Sequence, residues 1–211
     1  MTDLATETLP LENPLLMLAH DAPVRIRARM TKARFHRLLL RNSEVKMERD
    51  KLGVIIIYPP MTLKSAENEG NAFGYLWYWS TSSKLGKAYS SSAAFDLPDG
   101  STHKAGGAWI SKQKLDRLTP EEQESIAPIV PDFVMEVRSK TDSIVQLKKK
   151  MTEVWMANGV QLAWLIDPYS RKAWVYRAGA PVEEIPDFGR ALSGGDVLPG
   201  FTLTLSDLLQ G

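Results

Sequence analysis

The chain has 211 residues, of which 44% are hydrophobic and 24% are charged, and its 26 basic and 25 acidic residues give a formal net charge of +1. This composition excludes a chain that is disordered over most of its length. The absence of cysteine excludes disulfide frameworks, thiolate zinc sites and cysteine nucleophiles. A protein that coats nucleic acid is far more basic, but a nuclease needs only a local basic surface around an acidic site.

The N-terminal sequence, MTDLATETLPLENPLLMLAH, does not have the pattern of a signal peptide. It carries acidic residues where a signal peptide is basic, and Pro10 and Pro14 interrupt its apolar run. No segment approaches the roughly 18 apolar residues that a membrane span needs. We therefore expect a cytoplasmic protein with an N-terminal arm over residues 1–28 and a single domain over residues 29–211.

The first predicted helix begins at Thr31 in the segment TKARFHRLLLRN. Phe35, Leu38 and Leu39 recur at helical spacing and form an apolar stripe for the core. His36 is interpreted as a surface residue, because no second histidine or carboxylate lies one turn away on its face.

Two strands and a second helix follow. Residues 45–58 predict a hairpin around the turn KLG, which the two prolines after it end. Residues 65–80 predict a helix with Ser65 as its N-cap. The aromatic end of this helix, residues 75–79, is expected in the core, although aromatic side chains can also stack on bases or pack at a subunit interface.

Further strands are predicted on both sides of the turn signal PDG, over residues 87–97 and 107–111. Thr119, Pro120 and Glu122 have the order of a cap, a first-turn proline and an N3 acid, which predicts a short helix. Near the C-terminus, KAWVYRAG predicts the second strand of a hairpin, VEEI a short strand and LTLSDLL a closing helix.

The stretch PDFVMEVRSKTDSIVQLKKKMTEVWMANGVQLAWLID, residues 131–167, has the pattern of a strand, a helix and a strand. Alternation puts Asp132, Val134, Glu136 and Arg138 on one face of the first strand. A glutamate inside an apolar strand is costly to bury unless a positive group meets it. That group is either a structural salt-bridge partner or a divalent metal, and the local pattern does not choose between them.

A nuclease that hydrolyses phosphodiesters needs acidic oxygens to hold Mg²⁺ and a lysine to position or activate water. Arg138 stands two residues after Glu136, but arginine stays protonated and is a poor proton acceptor. Lys148, Lys149 and Lys150 lie on the following helix and span about 200° of its circumference. At least one of these lysines should therefore face Glu136.

The run PDFVMEVRSKTDS, the lysine helix and the segment ANGVQLAWLIDP resemble the Uma2 family of restriction endonucleases, within the PD-(D/E)xK nuclease superfamily. The resemblance covers about residues 30–208, since FDLPDGSTHKAGGAWIS and SGGDVLPGFTLTLSDLL also follow the order of the family. It implies an α/β (α+β) fold of the restriction-endonuclease type, with a central mixed β-sheet flanked by helices. It also implies DNA as the substrate, Mg²⁺ as the cofactor and a homodimer.

The same resemblance implies which residues form the site. Glu136 corresponds to the metal-binding glutamate of the family, and Lys150 to its lysine, with Lys149 as the second choice. A helical glutamate that is sometimes counted in such sites corresponds to Glu67, although this match is weak. The family has an aspartate on the preceding strand, where this chain reads HKAGGAWI and has Gly106 instead.

The change at residue 106 leaves two main functional hypotheses open. Losing one carboxylate from a two-carboxylate Mg²⁺ site should cost most of the affinity and the rate, unless Asp96, Asp99 or Asp132 replaces it. The first hypothesis is a Mg²⁺-dependent DNA endonuclease in which Arg138, with His103 or Lys104, contacts phosphate. The second is a nuclease fold retained for DNA binding or protein assembly without catalysis. A third reading is a structural oligomer joined through the aromatic helix.

Overall fold

The computed structural model describes residue 19 and residues 22–209, so most of the arm predicted over residues 1–28 lies outside the described residues. The strands are β1 (Val24–Ile26), β2 (Met47–Arg49), β3 (Ile55–Ile57), β4 (Gly86–Ser90), β5 (Phe95–Asp96), β6 (Thr102–His103), β7 (Gly107–Ser111), β8 (Phe133–Val137), β9 (Leu162–Asp167), β10 (Lys172–Arg177), β11 (Glu183–Ile185), β12 (Ala191–Ser193) and β13 (Thr202–Thr204). The α-helices are α1 (Lys32–Arg41), α2 (Leu63–Ser83), α3 (Lys112–Leu115), α4 (Pro120–Gln123) and α5 (Ile144–Lys150). A π-helical turn (Met151–Trp155) and a 3₁₀ turn (Met156–Asn158) continue α5.

The central sheet has six strands in the order β11-β10-β9-β8-β7-β4. β8 and β9 run parallel, whereas the other neighbours are antiparallel, so the sheet is mixed, as the sequence predicts. A parallel pair needs a crossover connection, which α5 and the two turns after it provide. The strand, helix and strand predicted over residues 131–167 are therefore present.

Both faces of the central sheet are covered, because alternate residues of β8 belong to different cores. Phe133 and Met135 pack with Leu76 of α2 on one face. Val134 packs with Trp155, from the turn after α5, on the other face. The next residue of β8 on this second face is the glutamate of the predicted site, which places it beneath α5.

A second, five-stranded sheet has the order β1-β3-β2-β6-β5. Phe35 and Leu39 of α1 pack on the face that carries Met47 and Ile57. Alternation along β2 then places Glu48 on the opposite face. β1 is an edge strand of this sheet and comes from the end of the segment predicted as an arm.

Helix α2 is longer than predicted and exposes part of its aromatic end. It starts after Thr62, whose side chain accepts a hydrogen bond from the backbone N–H of Ser65, so Thr62 is the N-cap in place of Ser65. Leu76 is buried, but Trp77 and Tyr78 are 53% and 71% exposed. The expectation that the aromatic end lies in the core is wrong for these two residues, because consecutive helical positions point in different directions.

Among the other elements, the strand predicted over residues 87–97 is divided into β4 and β5, which belong to different sheets. Helix α4 has both hydrogen bonds of the capping box predicted at Thr119. The chain closes with a 3₁₀ helix (Leu205–Leu209) that follows β13, where a short α-helix was expected. In the described part of the chain, none of the helices combines the length and the apolarity that crossing a membrane requires.

We predict that Trp164→Ala destabilises the protein by about 3–5 kcal/mol, because this is the usual cost of truncating a large buried aromatic side chain. Trp164 is fully buried, stacks on Phe201 at a centroid distance of 5.5 Å and meets the edge of Phe133 at 4.9 Å. Trp77→Ala is the matched control, with an expected change below about 1 kcal/mol. Urea denaturation measures both, and equal effects would contradict the burial pattern.

Candidate active site

The ammonium group of Lys150, the last residue of α5, is held by three acceptors from different parts of the fold. Its Nζ lies 2.7 Å from Glu48 Oε1 and 2.7 Å from Glu136 Oε1, and it donates to the carbonyl oxygen of Lys104 at 2.8 Å. The Lys150 side chain is only 10% exposed. All three ammonium hydrogens therefore have protein acceptors, and the group joins α5, β8 and the second sheet.

The anchoring of α5 explains why Lys150 faces the glutamates. Leu147 and Met151 pack in the core beneath the helix, which turns Lys150 inwards between them. Lys149, the alternative to Lys150 as the predicted site lysine, is 58% exposed, and its Nζ lies 3.6 Å from Glu153 Oε2. Lys148 lies over the ring of Trp174. The structure thus brings Lys150 to Glu136 and turns the other two lysines of the run away from it.

The carboxylate of Glu48 is fully buried and has a partner at each oxygen. Its Oε2 accepts a hydrogen bond from Tyr58 Oη at 2.7 Å and lies 3.0 Å from His103 Nδ1. Its Oε1 accepts from the backbone N–H of Lys104 at 3.2 Å and pairs with Lys150. Burial alone raises the pKa of Glu48, but the charges of Lys150 and His103 outweigh it and hold the pKa well below its usual value.

The pKa of Lys150 is shifted in the opposite direction from that of Glu48. Burial alone lowers the pKa of Lys150, but the carboxylates of Glu136 and Glu48 outweigh it and hold the pKa well above its usual value. Lys150 is therefore charged at any physiological pH. Such a lysine can donate hydrogen bonds and offset negative charge, but it cannot accept a proton from water.

Glu136 is buried on β8 and is partnered on one oxygen. Trp155 donates its indole N–H to Glu136 Oε1 at 2.9 Å, and Lys150 contacts the same oxygen. Trp155 belongs to the π-helical turn that directly follows Lys150, and such turns are rare and often occur at functional sites. The positive group that contacts Glu136 in the structure is thus Lys150.

A fourth group, Glu69 of α2, lies beside Gly106. A Cβ atom added to Gly106 would stand 3.2 Å from Glu69 Oε2 and 3.1 Å from the carbonyl oxygen of Met135. Gly106 does not have a left-handed backbone, so its conformation does not require glycine. The space in front of residue 106 is instead bordered by a carboxylate from another element.

Glu69 is buried, unlike the glutamate that was matched to the helical position of the family. Burial raises the pKa of Glu69, and the charge on Glu136 adds to this effect, whereas Lys46 and Lys150 act against it. Glu67 is more exposed and pairs with Lys64 at 3.0 Å. The structure thus brings Glu69 to the site and leaves Glu67 at the surface.

Asp132 is not brought to the site, although it shares a strand face with Glu136. Its carboxylate accepts from the backbone N–H of Ser111 at 2.8 Å and pairs with Lys114 at 2.8 Å. Asp132 and Glu136 are four positions apart, or about 13 Å along an extended strand. The structure therefore does not bring Asp132 to Glu136, and Asp132 as a metal ligand stays a prediction.

The other acids considered as replacements have partners elsewhere. Asp96 accepts from Thr102 Oγ1 at 2.6 Å and lies 3.0 Å from Nε2 of His36, which is partly buried rather than free at the surface. Asp99 accepts from the hydroxyl of Ser101 at 2.6 Å. These contacts hold the turn between β5 and β6 and leave Glu69 as the acid nearest to residue 106.

The residues predicted to contact phosphate lie in different parts of the structure. Arg138 donates to Asp167 Oδ2 at 3.0 Å and lies over the ring of Tyr169, which ties it to the end of β9. Lys104 is buried beside the site, where burial and the charge of Lys46 lower its pKa. Lys104 therefore adjoins the carboxylates, and Arg138 is engaged elsewhere.

The acidic side chains at the site do not form a metal site built entirely from side chains. Over residues 22–209, no three His, Cys, Asp or Glu side chains are arranged to hold a metal ion. Mg²⁺ usually keeps several waters and needs one or two carboxylates. Glu69 and Glu136 can supply two, since the four contacts of Glu48 use both of its oxygens.

A mixed sheet with helices on both faces, and a lysine between carboxylates at the central strands, defines an α+β domain of the restriction-endonuclease type. The chain belongs to the Uma2 family, described as "Putative restriction endonuclease", which matches residues 33–206.

Two solved structures resemble the chain. A "putative nuclease belonging to DUF820" from Anabaena variabilis ATCC 29413 aligns with a TM-score of 0.70 and 20% identity, over 86% of this chain and 98% of that one. This likeness shows the fold alone, and it confirms the predicted fold class. Part of the DrdV–DNA complex aligns with a TM-score of 0.37 and 14% identity, over 66% of this chain and 10% of that one, which is too weak to support an argument. Comparison with curated proteins finds no match.

We predict that Glu48→Gln and Lys150→Met each destabilise the protein by about 3–5 kcal/mol near pH 7, because each leaves a buried charge without its partner. The double variant should lose less than the sum of the two single losses. Urea denaturation of the four proteins measures this coupling. Additive losses would show that Glu48 and Lys150 do not interact.

The pH dependence of these losses follows from the two pKa shifts. The stabilisation from Glu48 is complete above the unfolded pKa of about 4.3 and disappears as the pH falls through the lowered folded pKa. The stabilisation from Lys150 is complete below the unfolded pKa of about 10.4 and disappears as the pH rises through the raised folded pKa. The cost of Glu48→Gln should therefore be constant from about pH 6 to 8 and shrink in acid.

Proposed function

We propose that this protein is a Mg²⁺-dependent DNA endonuclease that hydrolyses phosphodiester bonds. The observation that carries the proposal is the charged Lys150 held between Glu48 and Glu136, with Glu69 beside it, in a chain of the Uma2 family. Carboxylates and a lysine at one point are the groups that metal-assisted phosphodiester hydrolysis needs.

Glu69 and Glu136 would hold the metal ion in this proposal. Gly106 is the degenerate position of the family motif, and the Glu69 carboxylate lies where a side chain at 106 would begin. In this proposal, the carboxylate of Glu69 on helix α2 takes the role of the strand aspartate in the family motif. Mg²⁺ bound there would polarise a phosphoryl oxygen and lower the pKa of a bound water.

Lys150 would act as a fixed positive charge. Because its pKa is raised, it can orient water or offset charge on a phosphate oxygen, but it cannot act as the general base. One of its three hydrogen bonds must be exchanged for a substrate contact. The bond to the carbonyl oxygen of Lys104 is the least costly to lose, because that acceptor carries no charge.

The side chains of Lys104 and Lys46 are the proposed phosphate contacts nearest to the carboxylates. The charge of Lys46 acts on the pKa of Glu69 and of Lys104, and the charge of Glu48 acts on the pKa of Lys104. Arg138 is a weaker candidate, because it is held by Asp167. The homodimer and the cytoplasmic location expected from the sequence stay predictions.

A second candidate function is a nuclease fold that binds DNA or assembles without hydrolysis. Two observations favour it: Gly106 offers no carboxylate, and all three Lys150 donors are used within the protein. In this case the lysine takes the place of a metal ion as the cation that neutralises the buried glutamates.

Nicking of supercoiled plasmid in Mg²⁺ or Mn²⁺ tests the first function. We predict that Glu136→Gln lowers the rate at least about 100-fold and Glu69→Gln at least about 10-fold, since each removes a proposed metal ligand. Asp132→Asn is the matched control, because its carboxylate lies elsewhere on the same strand face, and its rate should stay within about threefold of wild type. Absence of cleavage over a wide range of metals and enzyme concentrations would favour the second function.

Isothermal titration with Mn²⁺ tests whether Glu69 binds the metal ion, and this measurement does not depend on catalysis. We predict that Glu69→Ala weakens Mn²⁺ binding at least about tenfold, since an acidic oxygen is lost. Gly106→Asp in the Glu69→Ala background should recover most of this loss, because the new carboxylate enters the vacated space. Gly106→Asp alone should not tighten binding, since its Cβ would crowd Glu69. Tighter binding in that single variant would show that Glu69 does not replace the aspartate.

A further inference from the structure

The positive charge of this protein is concentrated in one segment. Residues 25–51 contain ten Lys and Arg residues and three Asp and Glu residues, a net charge of +7 in a chain whose total is +1. The other residues together are therefore acidic. A local positive surface of this kind attracts polyanions although the whole protein is nearly neutral.

Three arginines of this segment form a row that we call the arginine stripe: Arg25, Arg27 and Arg29. All three are exposed and line a groove of about 850 Å³, together with Asp50, Leu52 and Val54. Within residues 22–209, Arg25 forms an ion pair with Asp50 at 3.3 Å, and the other two arginines of the stripe form none.

Arg25, the first arginine of the stripe, lies on the face of the second sheet that carries the site. Arg25 pairs with Ile56 across β1 and β3, and Glu48 pairs with the same Ile56 across β2 and β3. Paired residues of neighbouring strands point to the same face, and two strand spacings amount to about 10 Å. Arg25 and Glu48 thus stand in one row, with the arginine at the open edge of the sheet.

The backbone around Arg29 keeps the stripe together beyond the end of β1. Arg29 has a φ of 44°, which is uncommon and strained for a residue other than glycine. The N–H of Met30 donates to the carbonyl oxygen of Gly53 at 3.0 Å and fixes this turn. Strained residues of this type persist where the surrounding structure holds them, often at binding sites.

We propose that the arginine stripe binds the phosphodiester backbone of DNA and leads it to the carboxylate cluster around Lys150. Alternate strand residues are about 6.6 Å apart, so neighbouring guanidinium groups can reach different phosphates of one strand. Arginine binds phosphate through two parallel hydrogen bonds, which gives the contact a direction as well as charge. This inference rests on the proposed function and names the surface that holds its substrate.

The chain offers a matched control on the other face of the same sheet. Arg34, Arg37 and Arg41 form an exposed row along α1, since these positions share a helical face. Helix α1 packs through Phe35 and Leu39 on the face opposite to Glu48. Removing either arginine triplet changes the net charge equally, but only the stripe adjoins the site.

The test is fluorescence anisotropy with a labelled DNA duplex in Ca²⁺ over a series of NaCl concentrations, in a Glu136→Gln background. We expect R25A/R27A/R29A to weaken binding at least tenfold and to reduce the slope of log affinity against log salt by about two to three, since each lost phosphate contact contributes about 0.9. R34A/R37A/R41A should change affinity less than about threefold. A charge-conserving variant, R25K/R27K/R29K, should keep the slope but bind more weakly than the parent protein.

Equal losses from the two alanine triplets, or no loss from the stripe variant, would overturn the inference. DNA binding that depends on the stripe in a wild-type protein that cleaves nothing would support the inference and reject the proposed hydrolysis. Cleavage by wild type together with unchanged binding by the stripe variant would reject the inference alone. Failure of the parent protein to bind any duplex would also overturn it.

Discussion

The buried ammonium group of Lys150 is the interaction on which the rest of this structure depends. Glu48 and Glu136 belong to different sheets, and neither carboxylate could be buried as a charge without a cation between them. Lys150 brings that cation from the helix that crosses between the two parallel strands. The relative position of the sheets is therefore coupled to a charge balance, and a change at any of the three residues acts on both the fold and the site.

The same balance shapes the chemistry of the site. The carboxylates of Glu48 and Glu136 share the ammonium group of Lys150, and Glu69 adds a third carboxyl whose pKa is raised by burial. The Glu69 side chain approaches the backbone at Gly106 from helix α2, close to the carboxylates of the two sheets. The arginine stripe provides the complementary positive charge on the same face.

Much of the fold could be predicted from local patterns. Short apolar runs and a helical period identified the strand, helix and strand around Glu136, because the two strands are buried on both faces and the helix on one. The same reasoning placed Trp77 and Tyr78 wrongly, since an aromatic run says nothing about which side of a helix meets a sheet. The structure also places Asp132 away from Glu136, since residues on one strand face can be too far apart for their side chains to meet.

The sequence by itself determined the strand, helix and strand around Glu136 and limited its partner to one of three lysines, because these depend on short-range periodicity. Its motifs also carry the family resemblance that implies the mixed fold. The tertiary structure alone decided that Lys150 is that lysine and that Glu48 and Glu69 join it. Glu48 lies 102 residues from Lys150 along the chain, and no local pattern marks a glutamate that becomes buried only when two sheets meet. Long-range electrostatic pairing is a property of the folded chain, since its energy depends on distance and burial rather than on sequence spacing.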